Sequence, residues 1–259
     1  MGKLNICMVQ TQLHWEDKSA NIQMLTKKLQ DVNSNTDLVI LPEMFTTGFS
    51  MKPELYSESM EGSTVNWMRN MADQLNCVIT GTLIIEESGN FFNRLVWMRP
   101  DGSYSFYDKR HLFSLAGEEN HYSAGKNRLV VDIKGFKIMP LICYDLRFPV
   151  WCRNDLDYDL AIFVANWPEK RSFFWSQLLV ARAIENQSFV VGLNRVGFDG
   201  NQISHSGNSI CLGPLGNSIK EIDSGKEELA FVQITKAELK SVRDQFKFLN
   251  DKDDFNITI

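Results

Sequence analysis

Short apolar runs alternate with longer amphipathic segments along the chain. Seven runs rich in β-branched and aromatic residues have the length and composition of β-strands. They are residues 4–10, 37–42, 76–85, 92–99, 136–143, 159–166 and 188–195. The runs at 37–42 and 159–166 are apolar almost throughout, which is typical of strands buried on both faces of a sheet.

Three segments between these runs carry apolar residues at helical spacing: residues 19–32, 64–75 and 171–186. Strands and helices therefore alternate at both ends of the chain. Residues 76–108 instead indicate consecutive strands, with a hairpin turn at Asp101–Gly102. The whole pattern predicts an α/β fold in which partly parallel sheets are covered by helices.

The chain has 259 residues and shows no linker, repeat or low-complexity tract, so we predict a single domain over residues 1–259. Residues 250–259 are polar at first and then carry Phe255, Ile257 and Ile259. This pattern predicts a C-terminal tail that packs against another surface.

Composition narrows the class of protein. A hydrophobic fraction of 44%, a charged fraction of 23% and a net charge of −5 are typical of a soluble globular protein. A nucleic-acid-binding protein is usually basic, so no nucleic-acid partner is expected. No apolar stretch approaches the roughly 20 residues of a membrane-spanning helix, and no membrane association is expected.

The five cysteines are scattered and include no C-x-x-C pair, which argues against a disulfide framework and a structural zinc site. A reducing compartment suits them better. The N-terminal residues are too polar for a secretion signal. Together these features predict a cytoplasmic protein.

Cys143 stands at the end of the apolar run 136–143, and charged residues follow it at once. A strand that leads into a sharp turn and a helix exposes the side chain at the turn. Pro149 is suited to the first turn of that helix, whose dipole would lower the pKa of the thiol. The alternative is a small buried apolar side chain, the commonest fate of a free cysteine. This segment alone slightly favours the alternative.

Two charged residues occupy similar positions. Glu43 follows the buried run 37–42, and Lys109 ends a predicted strand between aromatic residues. Each alone would more often be a solvated or paired surface charge. Ligands of open α/β sheets gather at strand ends, so Glu43, Lys109 and Cys143 together predict an active site.

These segments resemble a known family. LPEMF (41–45), DKRHLF (108–113) and CYDLRFP (143–149) are similar to the three signature segments of the nitrilase superfamily of carbon–nitrogen hydrolases, in the same order. ANWP (165–168) and ARAIENQ (181–187) also fit. The resemblance extends from residue 4 to about residue 225. It implies a four-layer α-β-β-α sandwich, a homodimer formed through helices, and chemistry that needs neither a metal nor an organic cofactor.

The resemblance also implies roles for individual residues. Cys143 would be the nucleophile, Glu43 the general base, and Lys109 with the backbone N–H of Tyr144 the oxyanion donors. The family's second glutamate precedes a glycine that corresponds to Gly125, which selects Glu118. The adjacent Glu119 leaves a one-residue ambiguity.

LPEMFTTGFS (41–50) and CYDLRFPVWCRN (143–154) are most similar to the ω-amidase branch. Its enzymes hydrolyse the terminal amide of small 2-oxo acid monoamides, such as 2-oxoglutaramate and 2-oxosuccinamate, to the 2-oxo acid and ammonia. Trp167 resembles a pocket residue of the family. The substrate carboxylate requires a cation or backbone donors, and the candidates are Arg171 and Arg195. Arg147 is expected to be structural, paired near Asp145.

Other functions remain open on the sequence. Within the superfamily the chain could be a nitrilase, a carbamoylase or a general aliphatic amidase. From another class, Cys143 could be a redox-sensing thiol without turnover. The sequence argues against this function, because no resolving cysteine lies at a short spacing, and Cys152 is the nearest candidate. A nucleotide-binding domain is disfavoured because neither glycine-rich phosphate motif is present.

Overall fold

The computed structural model describes residues 2–258, which form two six-stranded sheets, one two-stranded hairpin and six α-helices. The strands are β1 (Lys3–Gln10), β2 (Leu38–Ile40), β3 (Val78–Glu87), β4 (Asn90–Met98), β5 (Tyr104–Asp108), β6 (Val131–Ile133), β7 (Phe136–Ile142), β8 (Leu160–Ala165), β9 (Phe189–Asn194), β10 (Val196–Phe198), β11 (Ser204–Ser206), β12 (Ile210–Leu212), β13 (Ser218–Glu221) and β14 (Glu228–Thr235). The helices are α1 (Lys18–Leu29), α2 (Pro53–Tyr56), α3 (Ser63–Leu75), α4 (Pro149–Cys152), α5 (Ser172–Asn186) and α6 (Lys236–Phe246).

Each sheet has parallel strands at its centre. The first has the order β14-β1-β2-β3-β4-β5, and β1, β2 and β3 are parallel. The second has the order β13-β12-β9-β8-β7-β6, and β7, β8 and β9 are parallel. The remaining pairs are antiparallel, including the hairpin that turns at Asp101–Gly102. The carboxyl ends of the central strands thus carry the segments after β2, β7 and β8.

The two sheets pack face to face through one cluster of buried apolar side chains, which includes Ile6 and Trp97 from the first sheet and Ile138 from the second. Successive side chains of a strand point to opposite faces, so Val96 belongs to another cluster, which α1 and α3 cover. Helix α5 packs against the second sheet through buried residues such as Trp175. The layers are helix, sheet, sheet and helix, which confirms the predicted four-layer α-β-β-α sandwich.

The helix that was predicted to follow Cys143 is short. The chain turns into a 3₁₀ helix at Cys143–Arg147, and the helix that begins at Pro149 has only four residues. Pro149 does occupy the first turn of that helix. The helix thus begins where it was expected, but four residues supply only a weak dipole.

The C-terminal segment lies along the surface of its own chain. Residues 252–258 have no regular secondary structure, and Ile257 packs against the main core cluster. Phe255 and Lys252 line a shallow crevice together with Val150 of α4. Ile259 lies outside the described residues. The single-domain organisation stays a prediction.

Across residues 2–258, no helix combines the length and apolar character required to cross a membrane.

Candidate active site

The three residues singled out at strand ends lie in one pocket. Glu43 follows β2, Lys109 directly follows β5 and Cys143 directly follows β7. The cavity has a volume of about 80 Å³. Drug-sized ligands occupy pockets of about 300–1,000 Å³, so this cavity suits only a small molecule.

Cys143 has a strained backbone. Its φ is +43°, a left-handed conformation that is uncommon for a residue other than glycine. The N–H of Ile142 donates to Asp145 Oδ2 at 3.0 Å and spans the turn. Strain of this kind concentrates at functional sites, where the surrounding structure maintains it. The sharp turn after β7, predicted from sequence, is present.

The pKa of the Cys143 thiol is raised, whereas the sequence predicted that it is lowered. Burial, followed by the negative charge of Glu43, raises the pKa of Cys143 well above its ordinary value, although the charge of Lys109 opposes the shift. The resting side chain is therefore a neutral thiol. Nucleophilic attack requires a base that takes the proton at the moment of reaction, and Glu43 lines the same pocket as the thiol.

Lys109 forms a fully buried cluster with two carboxylates. Its Nζ lies 3.0 Å from Glu43 Oε1 and 2.9 Å from Glu118 Oε2, and all three side chains are buried. Burial alone would lower the pKa of Lys109, but the charges of Glu118 and Glu43 outweigh it and raise the pKa above its ordinary value. Lys109 is therefore a permanent cation in the pocket.

Glu118 is the glutamate that contacts Lys109. Both of its carboxylate oxygens lie within 3.1 Å of Nζ, and Oε2 also accepts from the N–H of Phe113 at 2.6 Å. Burial and the nearby charge of Glu43 raise the pKa of Glu118, while Lys109 opposes the shift. Glu119, on the same 3₁₀ turn, is exposed. The geometry thus distinguishes the two neighbours in favour of Glu118.

Two asparagines hold Glu43, and neither was predicted. Asn93 Nδ2 donates to Glu43 Oε1 at 2.9 Å, and the backbone N–H of Asn166 donates to Oε2 at 2.8 Å. Asn93 is a polar residue inside the apolar run 92–99, and Asn166 stands inside ANWP. A buried polar residue in a strand was the available signal, because it requires a partner.

Tyr144 and Trp167 both line the pocket, as predicted. Tyr144 follows Cys143 in the 3₁₀ helix, and the first N–H groups of a helical turn have no intrahelical acceptor. This position is suitable for an oxyanion donor. Trp167 Nε1 donates to the carbonyl of Arg171 at 2.8 Å, which fixes the indole at the pocket wall.

The arginines differ from the predictions. Arg171 lines the pocket, and so does Arg147, which was expected to be structural beside Asp145. Asp145 is instead saturated by Tyr107, by the N–H of Ile142, and by the backbone and ring nitrogens of His111. The expectation for Arg147 is therefore wrong.

Arg195 does not line the pocket. Its side chain is fully buried and donates to the carbonyls of Leu13, Val196 and Phe198. Burial lowers its pKa to about 10. The predicted role of Arg195 in substrate binding is wrong, because its donors bind backbone carbonyls, two of them in β10.

The β10–β11 hairpin supplies pocket residues that the sequence did not indicate, namely Asp199, Ile203 and His205.

Within residues 2–258, no group of three or more His, Cys, Asp or Glu side chains is arranged to hold a metal ion.

His205 gives the fold an acid-sensitive contact. Burial and the nearby charge of Arg195 lower its pKa from 6.5 to about 4, although Asp199 opposes the shift. Between these values the unfolded chain binds more protons, so stability is lost as the pH falls through this window. We expect His205→Gln to reduce the loss of unfolding free energy between pH 7 and pH 4 by about 1–3 kcal/mol. This range follows from about 1.4 kcal/mol for each unit by which the pKa is shifted. Urea unfolding between pH 7 and pH 4 measures it.

The matched control is His121→Gln, at an exposed position. It should leave the pH dependence of the unfolding free energy unchanged. Equal acid loss in the wild type and His205→Gln would contradict the assignment.

Comparison with known proteins places the chain in a family. The model of the carbon-nitrogen hydrolase family matches residues 5–244. The chain is 42% identical to the omega-amidase YafV of Escherichia coli K12, over 99% of this chain and 100% of that protein. It is 29% identical to the 2-oxoglutaramate amidase of Bacillus subtilis, over 96% of this chain and 97% of that enzyme.

A similar solved structure indicates the same family as the sequence relatives. XC1258 from Xanthomonas campestris is 43% identical, with a TM-score of 0.97 and 100% coverage of both chains. It is described as a CN-hydrolase superfamily protein with an arsenic adduct in the active site. On the family match, the full-length relatives and the fold, this chain belongs to the carbon–nitrogen hydrolase family, the nitrilase superfamily.

Proposed function

We propose that this protein is an ω-amidase, which hydrolyses the terminal amide of small 2-oxo acid monoamides through a thioester on Cys143. Representative substrates are 2-oxoglutaramate and 2-oxosuccinamate, and the products are the 2-oxo acid and ammonia. The observation that carries the proposal is the small pocket in which Cys143, Glu43 and Lys109 face two arginines without carboxylate partners. The activities named for the two relatives above support it.

The first half-reaction forms the acyl-enzyme. Cys143 Sγ attacks the carbonyl carbon of the amide, and the thiol proton passes to Glu43. The carbonyl oxygen becomes an oxyanion, which Lys109 Nζ and the N–H of Tyr144 stabilise. Because burial raises the pKa of Cys143, we assign the transfer of the thiol proton to Glu43 to the same step as the attack.

The tetrahedral intermediate then collapses. Glu43 returns its proton to the leaving nitrogen, the carbon–nitrogen bond breaks, and ammonia departs. In the second half-reaction Glu43 takes a proton from water, whose oxygen attacks the thioester. The carbon–sulfur bond breaks, the proton returns to sulfur, and the 2-oxo acid is released. Protein groups and water supply every step.

Arg147 and Arg171 are the candidates for holding the substrate carboxylate. The Arg147 guanidinium lies over the rings of Trp167 and Phe174, at 5.0 and 5.2 Å from their centroids. The Arg171 guanidinium lies 5.2 Å from the centroid of Phe113. No carboxylate among residues 2–258 forms an ion pair with either, so both retain their donors for a ligand. Guanidinium groups bind carboxylates in a bidentate manner.

We expect Arg147→Met and Arg171→Met each to lower kcat/KM for 2-oxoglutaramate by about 10- to 100-fold, since each loses a charge-assisted hydrogen bond. The effect should appear mainly in KM. Pentanamide, which lacks the carboxylate, should lose less than about threefold, because the lost interaction does not involve the amide.

Lys170→Met is the matched control, because Lys170 is an exposed cation beside Arg171. It should leave both substrates unaffected. Equal losses for the acid amide and the neutral amide would show that the arginines do not bind the carboxylate.

A substrate panel tests the proposed function itself. Ammonia release is measured for 2-oxoglutaramate, 2-oxosuccinamate, glutamine, pentanamide, a small aliphatic nitrile and an N-carbamoyl amino acid. The proposal expects the 2-oxo acid monoamides to have the highest kcat/KM. Preference for the nitrile, the carbamoyl compound or pentanamide would assign another activity of the superfamily. No turnover of any compound would favour the redox-sensing thiol.

The proposal includes a homodimer. Val150 of α4 and Phe173, Phe174 and Ile184 of α5 are exposed apolar side chains. Burial of such a surface is favourable, and the family dimerises through helices. We expect light scattering to give the mass of a dimer at micromolar concentration, and Ile184→Asp to weaken it. Leu55→Asp, at an exposed apolar position on α2, is the control. A monomer throughout this range would reject the dimer.

We further propose that the reaction takes place in the cytoplasm. All five cysteines are free, which suits a reducing compartment.

A further inference from the structure

Asn166 contacts the general base on two sides and leaves one of its own polar atoms without a partner. Its N–H donates to Glu43 Oε2 at 2.8 Å, and its Nδ2 donates to the carbonyl oxygen of Glu43 at 2.7 Å. Its Oδ1 is buried and accepts no hydrogen bond within residues 2–258. Asn166 is 6% exposed and lines the pocket together with Glu43 and Cys143.

The neighbours determine which way the Asn166 amide group faces. Nδ2 has the Glu43 carbonyl oxygen at 2.7 Å and Glu43 Oε2 at 3.4 Å. A rotation of 180° would place Oδ1 against these two acceptors and remove both donations. Oδ1 is therefore the atom that remains free. A buried acceptor without a partner is unfavourable, which makes a ligand donor the expected partner.

The leaving nitrogen of the substrate must lie beside Glu43, because Glu43 protonates it. Glu43 Oε1 already accepts from Lys109 and Asn93. Oε2 accepts from the backbone N–H of Asn166 at 2.8 Å and from Asn166 Nδ2 only at a long 3.4 Å, so it is the oxygen with more capacity for the substrate. A primary amide has two N–H groups, and only one of them can donate to Oε2. The second N–H is then close to the Asn166 side chain.

We infer that Asn166 is a specificity-determining residue, whose Oδ1 accepts the second N–H of a primary amide substrate. This inference rests on the proposed amidase function and concerns the leaving group. An ester presents an oxygen at the same place, and its lone pairs face those of Oδ1. A nitrile presents no N–H. The site thus selects amides over esters and nitriles of the same acid.

The test compares two substrates that form the same acyl-enzyme, 2-oxoglutaramate and the 5-methyl ester of 2-oxoglutarate. Their kcat/KM values report acylation, so only the leaving group differs. In Asn166→Ala the ratio of amide to ester kcat/KM should fall by about 10-fold or more, because the amide loses an acceptor and the ester loses a repulsion.

Asn93→Ala is the matched control. Asn93 also donates to Glu43, has an unpartnered Oδ1, and does not line the pocket. Its loss should lower amide and ester turnover by the same factor and leave the ratio unchanged. A fall in the ratio in both variants would mean that the fixing of Glu43, and not the free acceptor, determines the preference.

The N-methyl amide of the same acid tests the inference without any variant. The wild type should cleave it at least about 10-fold more slowly than the primary amide, and Asn166→Ala should narrow this gap. If Asn166→Ala does not fold, the wild-type comparison decides, and equal turnover of the two amides overturns the inference. An unchanged amide-to-ester ratio in folded Asn166→Ala also overturns it and leaves the proposed function intact. A wild type that cleaves neither the amide nor the ester refutes the proposed function and the inference with it.

Discussion

Cys143→Ala is expected to lower kcat/KM for 2-oxoglutaramate by about 10⁴-fold or more, because removal of a catalytic nucleophile typically costs this much or more. The fold should be retained. Cys143 is only partly buried, and alanine tolerates the left-handed backbone no worse than cysteine. Ammonia release measures the loss, and circular dichroism compares the folds. In the wild type, rapid quenching followed by mass spectrometry should detect the acyl group on Cys143.

Cys77→Ala is the matched control, since Cys77 is buried in the cluster beneath α1 and α3, away from the pocket. It should retain turnover and cost only modest stability. The nucleophile assignment would be wrong if Cys143→Ala kept activity while modification of Cys7, Cys77, Cys152 or Cys211 abolished it.

Long apolar runs made most of the fold predictable. The predicted runs match six strands with bounds that differ by at most two residues, namely β1, β3, β4, β7, β8 and β9. Burial on one or both faces gives such strands a continuous apolar signal. The short strands β10, β11, β12 and β13 have three or four residues each. Segments this short contain no periodicity, and sheet contacts from elsewhere in the chain determine their conformation.

The polar partners of the site were less predictable. Asn93 and Asn166 matter because Glu43 is brought against them across 50 and 123 residues of sequence. Local sequence carries no record of such long-range contacts. Arg195 illustrates the same limit, since it lies at a strand end like Glu43 and Cys143 but donates to three backbone carbonyls.

Arg147 was misassigned for a local reason. Arg147 and Asp145 are two residues apart, which suggested a pair. A 3₁₀ helix has three residues per turn, so residues two apart point in different directions. Asp145 turns inward to Tyr107 and His111, and Arg147 turns to Trp167. The thiol pKa was misjudged because proximity to a helix start was weighed without the burial beside Glu43.

Substitutions of the two glutamates in the site, Glu43 and Glu118, are expected to impair turnover for different reasons. Glu43→Gln removes the proposed proton carrier of both half-reactions, and turnover should fall by about 10²–10⁴-fold. Glu118→Gln keeps the size of the side chain and an acceptor for the N–H of Phe113, and it loses the charge and one of the two oxygens that accept from Lys109. Turnover should then fall by about 10²–10³-fold, the typical effect of a disturbed oxyanion donor. Steady-state ammonia release measures both losses.

The reason for the Glu118 effect lies in the position of Lys109. With Glu118 neutral, Glu43 is the one carboxylate left against Nζ, at 3.0 Å. Lys109 is then drawn toward Glu43 and away from the oxyanion, which weakens the stabilisation of the oxyanion. Thiol reactivity does not depend on that oxyanion contact. Cys143 in Glu118→Gln should therefore react with iodoacetamide at a rate within a few-fold of the wild type, a result that loss of folding would not give.

Glu119→Gln provides the matched control, since the same substitution is made one residue away on an exposed side chain. It should leave turnover and alkylation unchanged. Loss of activity in Glu119→Gln together with wild-type turnover in Glu118→Gln would move the second carboxylate by one residue. If neither substitution affected turnover, Glu43 alone would be sufficient to keep Lys109 charged and aligned. The buried pair of Lys109 and Glu118 would then have no catalytic role, because one carboxylate at 3.0 Å would offset the burial of the ammonium group.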